Sequence, residues 1–171
     1  MVSKDSLRKK VLKRRNNIDE IEYQKISRLI CDQLINFTDW QNVSSGLVYS
    51  PITKNFEVDI SALTDYLMKL SGNLQIFVPD FDRKNPLYFR FKSLKDSDFV
   101  SDAEFEFIIV PALALDKQKY RLGYGGGYYD RLLGKYPRAK TITPIYSQDI
   151  VGTIPHEVHD RKVDIVITER V

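Results

Sequence analysis

The chain has 171 residues, 43% of them hydrophobic and 29% charged, the length and balance of one globular domain with a real core and too short for two of ordinary size. No apolar run approaches the roughly 20 residues that span a bilayer, and the basic start lacks the apolar segment and small-residue cleavage site of a secretory leader. The single cysteine, Cys31, excludes an internal disulfide and fits a reducing compartment, so a cytoplasmic protein is expected.

The net charge of +3 is unevenly spread. Residues 1–16 hold seven cations (Lys4, Arg8, Lys9, Lys10, Lys13, Arg14, Arg15) against one acid, Asp5, and the remainder of the chain sums to −3. A general nucleic-acid binder spreads basic charge over a face. Cations confined to one end point instead to a compact anion, or to something met by a basic arm.

No internal repeat, low-complexity stretch or linker divides the chain. Residues 3–16 read as a helix with a narrow apolar stripe of Leu7, Val11 and Leu12, and with Ser3 or Asp5 at its start. Asp19 reads as the N-cap of a second helix reaching Phe37, in which Ile26, Leu29, Ile30, Leu34 and Phe37 recur at helical spacing. Cys31 falls among these apolar positions as a small core hydrophobe. Residues 46–50 (GLVYS) then read as a strand ending at Pro51. Residues 59–70 read as a helix with Ile60, Leu63, Leu67 and Leu70 on one face. Residues 75–78 (QIFV) read as a strand stopped at Pro79, and residues 87–91 (LYFRF) as an exposed one. Residues 105–110 (FEFIIV) form a strand stopped at Pro111, and residues 140–146 and 163–168 complete the set. Alternating strands and helices predict a single α/β domain: a mostly parallel sheet flanked by helices on both faces, with an N-terminal helical pair. In such sheets ligands bind beyond the carboxyl ends of the strands, which directs attention to the segment after Val110.

Residues 111–133 read PALALDKQKYRLGYGGGYYDRLL. Gly123, Gly125, Gly126 and Gly127 fall within five residues, half of the eight glycines in the chain. Residues 128–133 have helical character, so the glycines occupy a strand–loop–helix junction, where free amides and the helix dipole favour a phosphate. No P-loop is present, and a dinucleotide fingerprint starting at Gly123 needs a glycine where Tyr128 stands. A flexible surface loop is the plain alternative. Asp130, in the first helical turn, would repel a phosphate unless a cation stood between them, and Mg²⁺ is the natural bridge. Asp164, near the start of VDIVI, is a candidate second carboxylate or simply a charge at a strand entrance. Arg121 is a bidentate clamp or an exposed loop arginine. Lys4 and Arg8 share one helix face, either closing over a polyphosphate or only solvated.

At the Gly-rich segment the sequence resembles the 5-formyltetrahydrofolate cyclo-ligase family. The resemblance lies in P-A-L-A-L-D followed by R-L-G-Y-G-G-G-Y-Y-D-R. It extends to K-D-S-L-R near the start, Y-S-P-I-T-K-N-F-E-V-D in the middle and I-P-H-E-V-H-D-R-K-V-D-I-V-I-T-E near the end. This implies an ATP-dependent enzyme that phosphorylates the formyl oxygen of 5-formyltetrahydrofolate and closes the ring through N10, giving 5,10-methenyltetrahydrofolate, ADP and phosphate. By resemblance, ATP meets Lys4, Arg8, Arg121, Leu122, Gly123, Tyr124, Gly125, Gly126, Gly127, Tyr128 and Tyr129. Arg121 and Asp130 carry catalysis, and Asp130 and Asp164 hold Mg²⁺. Glu57 grips the pterin and Tyr49 lines its pocket, while residues 124–128 lie between the substrates. Some members carry a lysine within the glycine run where this chain has Gly126, which shifts cation supply to Lys4, Arg8 and Arg121. The resemblance also implies a monomer, while the confined basic charge and the lack of a spanning apolar run lead to no nucleic-acid or membrane partner being expected.

His156 and His159, in P-H-E-V-H, have no further histidine to complete a zinc site and read as a pair serving a turn, with Asp160 capping it. Two other classes stay open. A nucleic-acid module using the basic arm would bind with steep salt dependence, and an ATP-binding regulatory domain would lack catalysis.

Overall fold

The structure is a computed structural model and describes residues 3–37, 39–70, 72–81 and 88–170. Among the described residues, no helix is long and apolar enough to cross a membrane. Helix α1 (Lys4–Arg15) starts at Ser3, whose hydroxyl accepts from the Ser6 amide at 3.2 Å. Of the two candidate caps, Ser3 is therefore the one used. Helix α2 (Glu20–Phe37) starts at Asp19, whose carboxylate accepts from the Glu22 amide at 2.8 Å.

The buried face of α2 is Tyr23, Ser27, Ile30, Cys31 and Leu34. This corrects the predicted stripe, since Leu29 and Phe37 are 42% and 46% exposed. The helix is turned by two small residues that grip the backbone of Asp59. The Ser27 hydroxyl accepts from the Asp59 amide at 3.1 Å, and the Cys31 thiol donates to the Asp59 carbonyl at 3.2 Å. Cys31 is core, as expected, and it also bonds the backbone.

The chain continues through β1 (Ser45–Leu47), α3 (Ser61–Lys69), β2 (Gln75–Asp80), β3 (Arg90–Ser93), β4 (Phe99–Val100) and β5 (Phe107–Ile109). Then come β6 (Ala114–Asp116), β7 (Arg121–Leu122), α4 (Tyr128–Lys135), β8 (Lys140–Pro144), β9 (Ile150–Val151) and β10 (Ile165–Ile167). The main sheet runs β10-β8-β5-β1-β2-β3-β4. Its pairs from β10 to β2 are parallel, and β3 and β4 add antiparallel edges. Pro79, predicted as a stop, lies inside β2 because there the strand pairs with β3 and no longer with β1. Of the predicted 87–91 strand, Leu87 lies outside the described residues and the paired part begins at Arg90.

Helices α2 and α3 cover one face of the sheet with Ile30, Leu34, Leu63 and Leu67, and α4 covers the other with Leu132 and Leu133. Helix α1 packs instead on a small second sheet, β7-β6-β9, through Leu7 and Val11 against Leu113, Ala114, Leu122 and Ile154. Asp116 ties this sheet together from a buried position. It accepts from the amides of Gln118 and Tyr120 at 2.9 and 3.0 Å and from that of Ile154 at 3.0 Å.

Two central strands meet where Gly46 pairs with Phe107. A Cβ on Gly46 would fall 2.0 Å from Phe107 Cζ, and that ring is already edge-on to Trp40 at 4.9 Å. Overpacking of this kind costs about 1–3 kcal/mol, occasionally more. Gly46→Ala is therefore expected to lower the urea midpoint with little change in m-value, measured by circular dichroism.

Candidate active site

Counted among themselves, the five parallel strands run second-first-third-fourth-fifth across the sheet. The chain leaves β1 toward β2 and leaves β5 toward β8, so the two exits diverge and open a crevice at the carboxyl ends. A cleft of about 510 Å³ lies there, lined by Tyr49 and Ser50 after β1 and by Pro111 after β5. The crossover from β5 to β8 carries the small sheet, the Gly-rich loop and α4, which brings residues 121–130 to the same cleft.

Part of the cleft wall is cationic. Lys4 and Arg8, one turn apart on α1, both line it. The Arg8 Nε donates to the Gly123 carbonyl at 2.9 Å, and its head also pairs with Asp5. Gly125 (φ +102°) leaves room for that guanidinium, which would lie 3.4 Å from a Cβ at this position. Lys4 pairs with Asp160 at 2.6 Å. Helix α4 begins after Gly127 (φ +61°), and its first backbone bond runs from the Arg131 amide to the Gly127 carbonyl. The amides of Tyr128, Tyr129 and Asp130 therefore have no partner within the helix.

Arg121 and Asp130 form the hub of this part. The Arg121 Nη2 donates to Asp130 Oδ1 at 2.9 Å, and the Arg161 amide reaches the same oxygen at 3.2 Å. The Arg121 side chain is nearly buried, which lowers its pKa, while Asp130 works in the opposite direction. Its Nε is buried without a hydrogen-bond partner. Among the described residues Asp130 Oδ2 has no hydrogen-bond partner, and the residue lines the cleft. No group of three or more His, Cys, Asp or Glu side chains stands ready for a metal among the described residues. One carboxylate oxygen beside a phosphate cradle fits Mg²⁺, which takes few protein ligands and completes its shell with phosphate oxygens and water.

The same cleft also holds a buried acid among aromatic residues. Glu57 is only 3% exposed, its Oε2 accepts from the Ile52 amide at 2.8 Å, and its Oε1 is buried without a full hydrogen bond. Burial pushes its pKa above the usual 4.5, against the Ile52 amide, the charge of Arg15 and the nearby Tyr124 hydroxyl. Burial and Glu57 together push Tyr124 up to about 12. Tyr49 lines the cleft with its ring, because its hydroxyl is spent on the Val58 carbonyl at 2.7 Å.

All the sequence-derived site residues except Asp164 line this one cleft. Leu122 is 1% exposed and buries its side chain against α1, so its backbone is what serves the cleft. Asp164 stands apart, at the amino ends of β8 and β10. Its Oδ2 accepts from the amide and the hydroxyl of Thr141, both at 2.8 Å. His156 stacks on Tyr120 at 3.8 Å and His159 is exposed at the cleft rim, where Asp160 accepts from the Glu157 amide at 2.7 Å as a turn cap. Sequence reasoning missed the second role of Asp160, which burial would push up but which Lys4 and the Glu157 amide hold below the usual carboxylate range. It also missed Phe81, an exposed cleft residue edge-on to Tyr128 at 4.5 Å. Neither carries a local signal, since each depends on a partner far away in sequence.

Free helix amides and cations at the switch point of a mostly parallel sheet are the class of setting in which phosphorylated ligands bind. Comparison with known proteins makes this specific: the family model for 5-formyltetrahydrofolate cyclo-ligases matches residues 1–169. The chain belongs to that family, and with it to the ATP-dependent ligases of folate one-carbon metabolism. The 5-formyltetrahydrofolate cyclo-ligase of Mycoplasma genitalium is 26% identical over 168 residues, 98% of each chain. The 5,10-methenyltetrahydrofolate synthetase of Aquifex aeolicus, solved by NMR, is 27% identical with a TM-score of 0.79, covering 98% of this chain and 90% of its own. The synthetase of Mycoplasma pneumoniae shares the fold at a TM-score of 0.84 and 24% identity, over 98% and 99% of the two chains.

The buried acid gives a test. Where a carboxyl binds its proton more tightly folded than unfolded, stability falls as pH rises from the unfolded pKa to the folded one. Glu57→Gln removes that loss. The variant is expected to have a higher urea midpoint than the parent at neutral pH, and the difference should shrink as pH falls toward 4.5, the usual carboxyl value.

Proposed function

We propose that this chain converts 5-formyltetrahydrofolate to 5,10-methenyltetrahydrofolate, with hydrolysis of ATP to ADP and phosphate. What carries the reading is the convergence of Lys4, Arg8, Arg121, Asp130 and the buried Glu57 on one cleft. The nucleotide takes the cationic part. Its phosphates replace the carboxylates now paired with Lys4 and Arg8 and meet the free amides at the start of α4. Mg²⁺, held by Asp130 and phosphate oxygens, would neutralise charge during transfer. The pterin takes the part around Glu57, where its N–H edge satisfies Glu57 Oε1 and Tyr49 and Tyr124 flank it.

In the reaction the formyl oxygen attacks the γ-phosphorus and ADP leaves. N10 then bonds to the activated carbon, the C–O bond to phosphate breaks, and the N10 proton is lost. Arg121 is held in the cleft wall by Asp130, where its guanidinium would stabilise negative charge developing on the transferring group. Ring closure is intramolecular and needs orientation more than a protein nucleophile. Asp164, bonded to Thr141 outside the cleft, takes no part in this reading. One chain supplies every group named, so a monomer suffices.

The test mixes protein, 5-formyltetrahydrofolate and Mg-ATP and monitors methenyltetrahydrofolate by its near-ultraviolet absorbance. Product should appear only with nucleotide and metal and vanish in a folded Asp130→Ala variant. ATP binding without product would refute the folate reading. No nucleotide binding would refute the whole. Arg121→Lys loses the fork geometry and should lower kcat on the order of a hundredfold in the same assay.

A further inference from the structure

Arg15 lies in α1, is 0% exposed and is not among the residues that line the cleft. Its Nε donates to Asp149 Oδ2 at 2.8 Å, and its Nη2 donates to the carbonyls of Ala112 and Leu113 at 3.0 and 3.2 Å. The guanidinium carbon stands 5.1 Å from the centroid of the Tyr146 ring, and Arg14 bonds the other oxygen of Asp149. Arg15 and Asp149 are both fully buried. The desolvation of such a pair offsets most of its attraction, and apolar residues of like volume often stabilise as well or better. Stability alone does not account for it.

Its contacts lead to each support of the cleft. Helix α1 presents Lys4 and Arg8. Ala112 and Leu113 come directly after Pro111 in the cleft wall. The Tyr146 hydroxyl donates to the Phe56 carbonyl at 2.9 Å, and Phe56, in the left-handed region at φ 49°, immediately precedes Glu57. We propose that Arg15 is a positioning residue that ties the nucleotide part of the cleft to the pterin part, so that both substrates are held in register through one buried guanidinium.

Its charge has a separate effect. Among the described residues, the titratable groups acting on Glu57, beside the Ile52 amide, are Arg15 and the phenols of Tyr23, Tyr49, Tyr124 and Tyr129, each of which burial keeps protonated. Arg15 is the cation that favours an ionised Glu57.

The inference rests on the proposed reaction, and three variants separate the two. Arg15→Lys keeps the charge but loses the fork, Arg15→Met loses both, and Tyr146→Phe leaves Arg15 intact while cutting the hydroxyl's links to Phe56 and to Ser27 of α2. KM for each substrate, kcat, and the pH dependence of the folate KM would be measured, with urea midpoints as a check on folding. Arg15→Lys should raise both KM values on the order of tenfold, as misplacement at a distance does. Tyr146→Phe should raise the folate KM and leave the ATP KM alone. In Arg15→Met the loss of folate affinity on acidification should begin at a higher pH than in the parent. Should Arg15→Met fail to fold, the other two decide. An active parent with Arg15→Lys and Tyr146→Phe both within twofold of it in every KM would overturn the proposal. An inactive parent would overturn the reaction instead.

Discussion

Strands β1 and β5 are hydrogen-bonded neighbours whose chains depart in opposite directions, one toward β2 and the other toward β8. A crevice between the two exits is a consequence of that topology. Each chemical group of the site hangs from one of these exits or is brought to them. Tyr49 and Glu57 lie on the path leaving β1, while Arg121, the glycines and Asp130 lie on the path leaving β5. Helix α1 belongs to neither path and reaches the cleft because it packs on the small sheet inserted after β5. The N-terminal cations are thus recruited by the same crossover that carries the loop.

The charges of the cleft are held in pairs. Lys4, Arg8 and Arg121 each hold a carboxylate, respectively Asp160, Asp5 and Asp130. Exchanging a carboxylate for a phosphate of higher charge costs little reorganisation when the donors are already aimed. In the same cleft a carboxyl is buried with one oxygen lacking a full hydrogen bond, a placement that works against folding and in favour of a ligand rich in N–H donors. The Arg15–Asp149 pair fits the same pattern, in which burial that stability does not call for marks residues the site depends on.

Much of this was legible in the sequence, for identifiable reasons. The Gly-rich junction and Asp130 announce themselves locally, because a phosphate cradle needs glycine and a helix start in adjacent positions. Ser3 and Asp19 mark their helices by capping chemistry, which is local too. What escaped depends on long-range contact. Arg15 looks like one more cation in a basic helix until Asp149, 134 residues away, buries it. Leu29 carries the helical period but not the core face, because Ser27 and Cys31 bond Asp59 and turn the helix. Strands of two or three residues such as β7 and β9 are too short for a period to show. Asp164 matches a family pattern in sequence, yet its carboxylate bonds Thr141 and lies outside the cleft.

The proposed reaction turns on two substrates sharing one cleft, the nucleotide beside Lys4, Arg8 and Arg121 and the folate beside Glu57. Amide chemical-shift mapping by NMR tests it most directly, adding a non-hydrolysable Mg-ATP analogue first and 5-formyltetrahydrofolate second. The account predicts that the nucleotide moves signals in residues 4–8 and 121–130, and that the folate then moves those of residues 49–57 without displacing it. Competition between the two ligands, or nucleotide shifts confined to any other part of the chain, would contradict it.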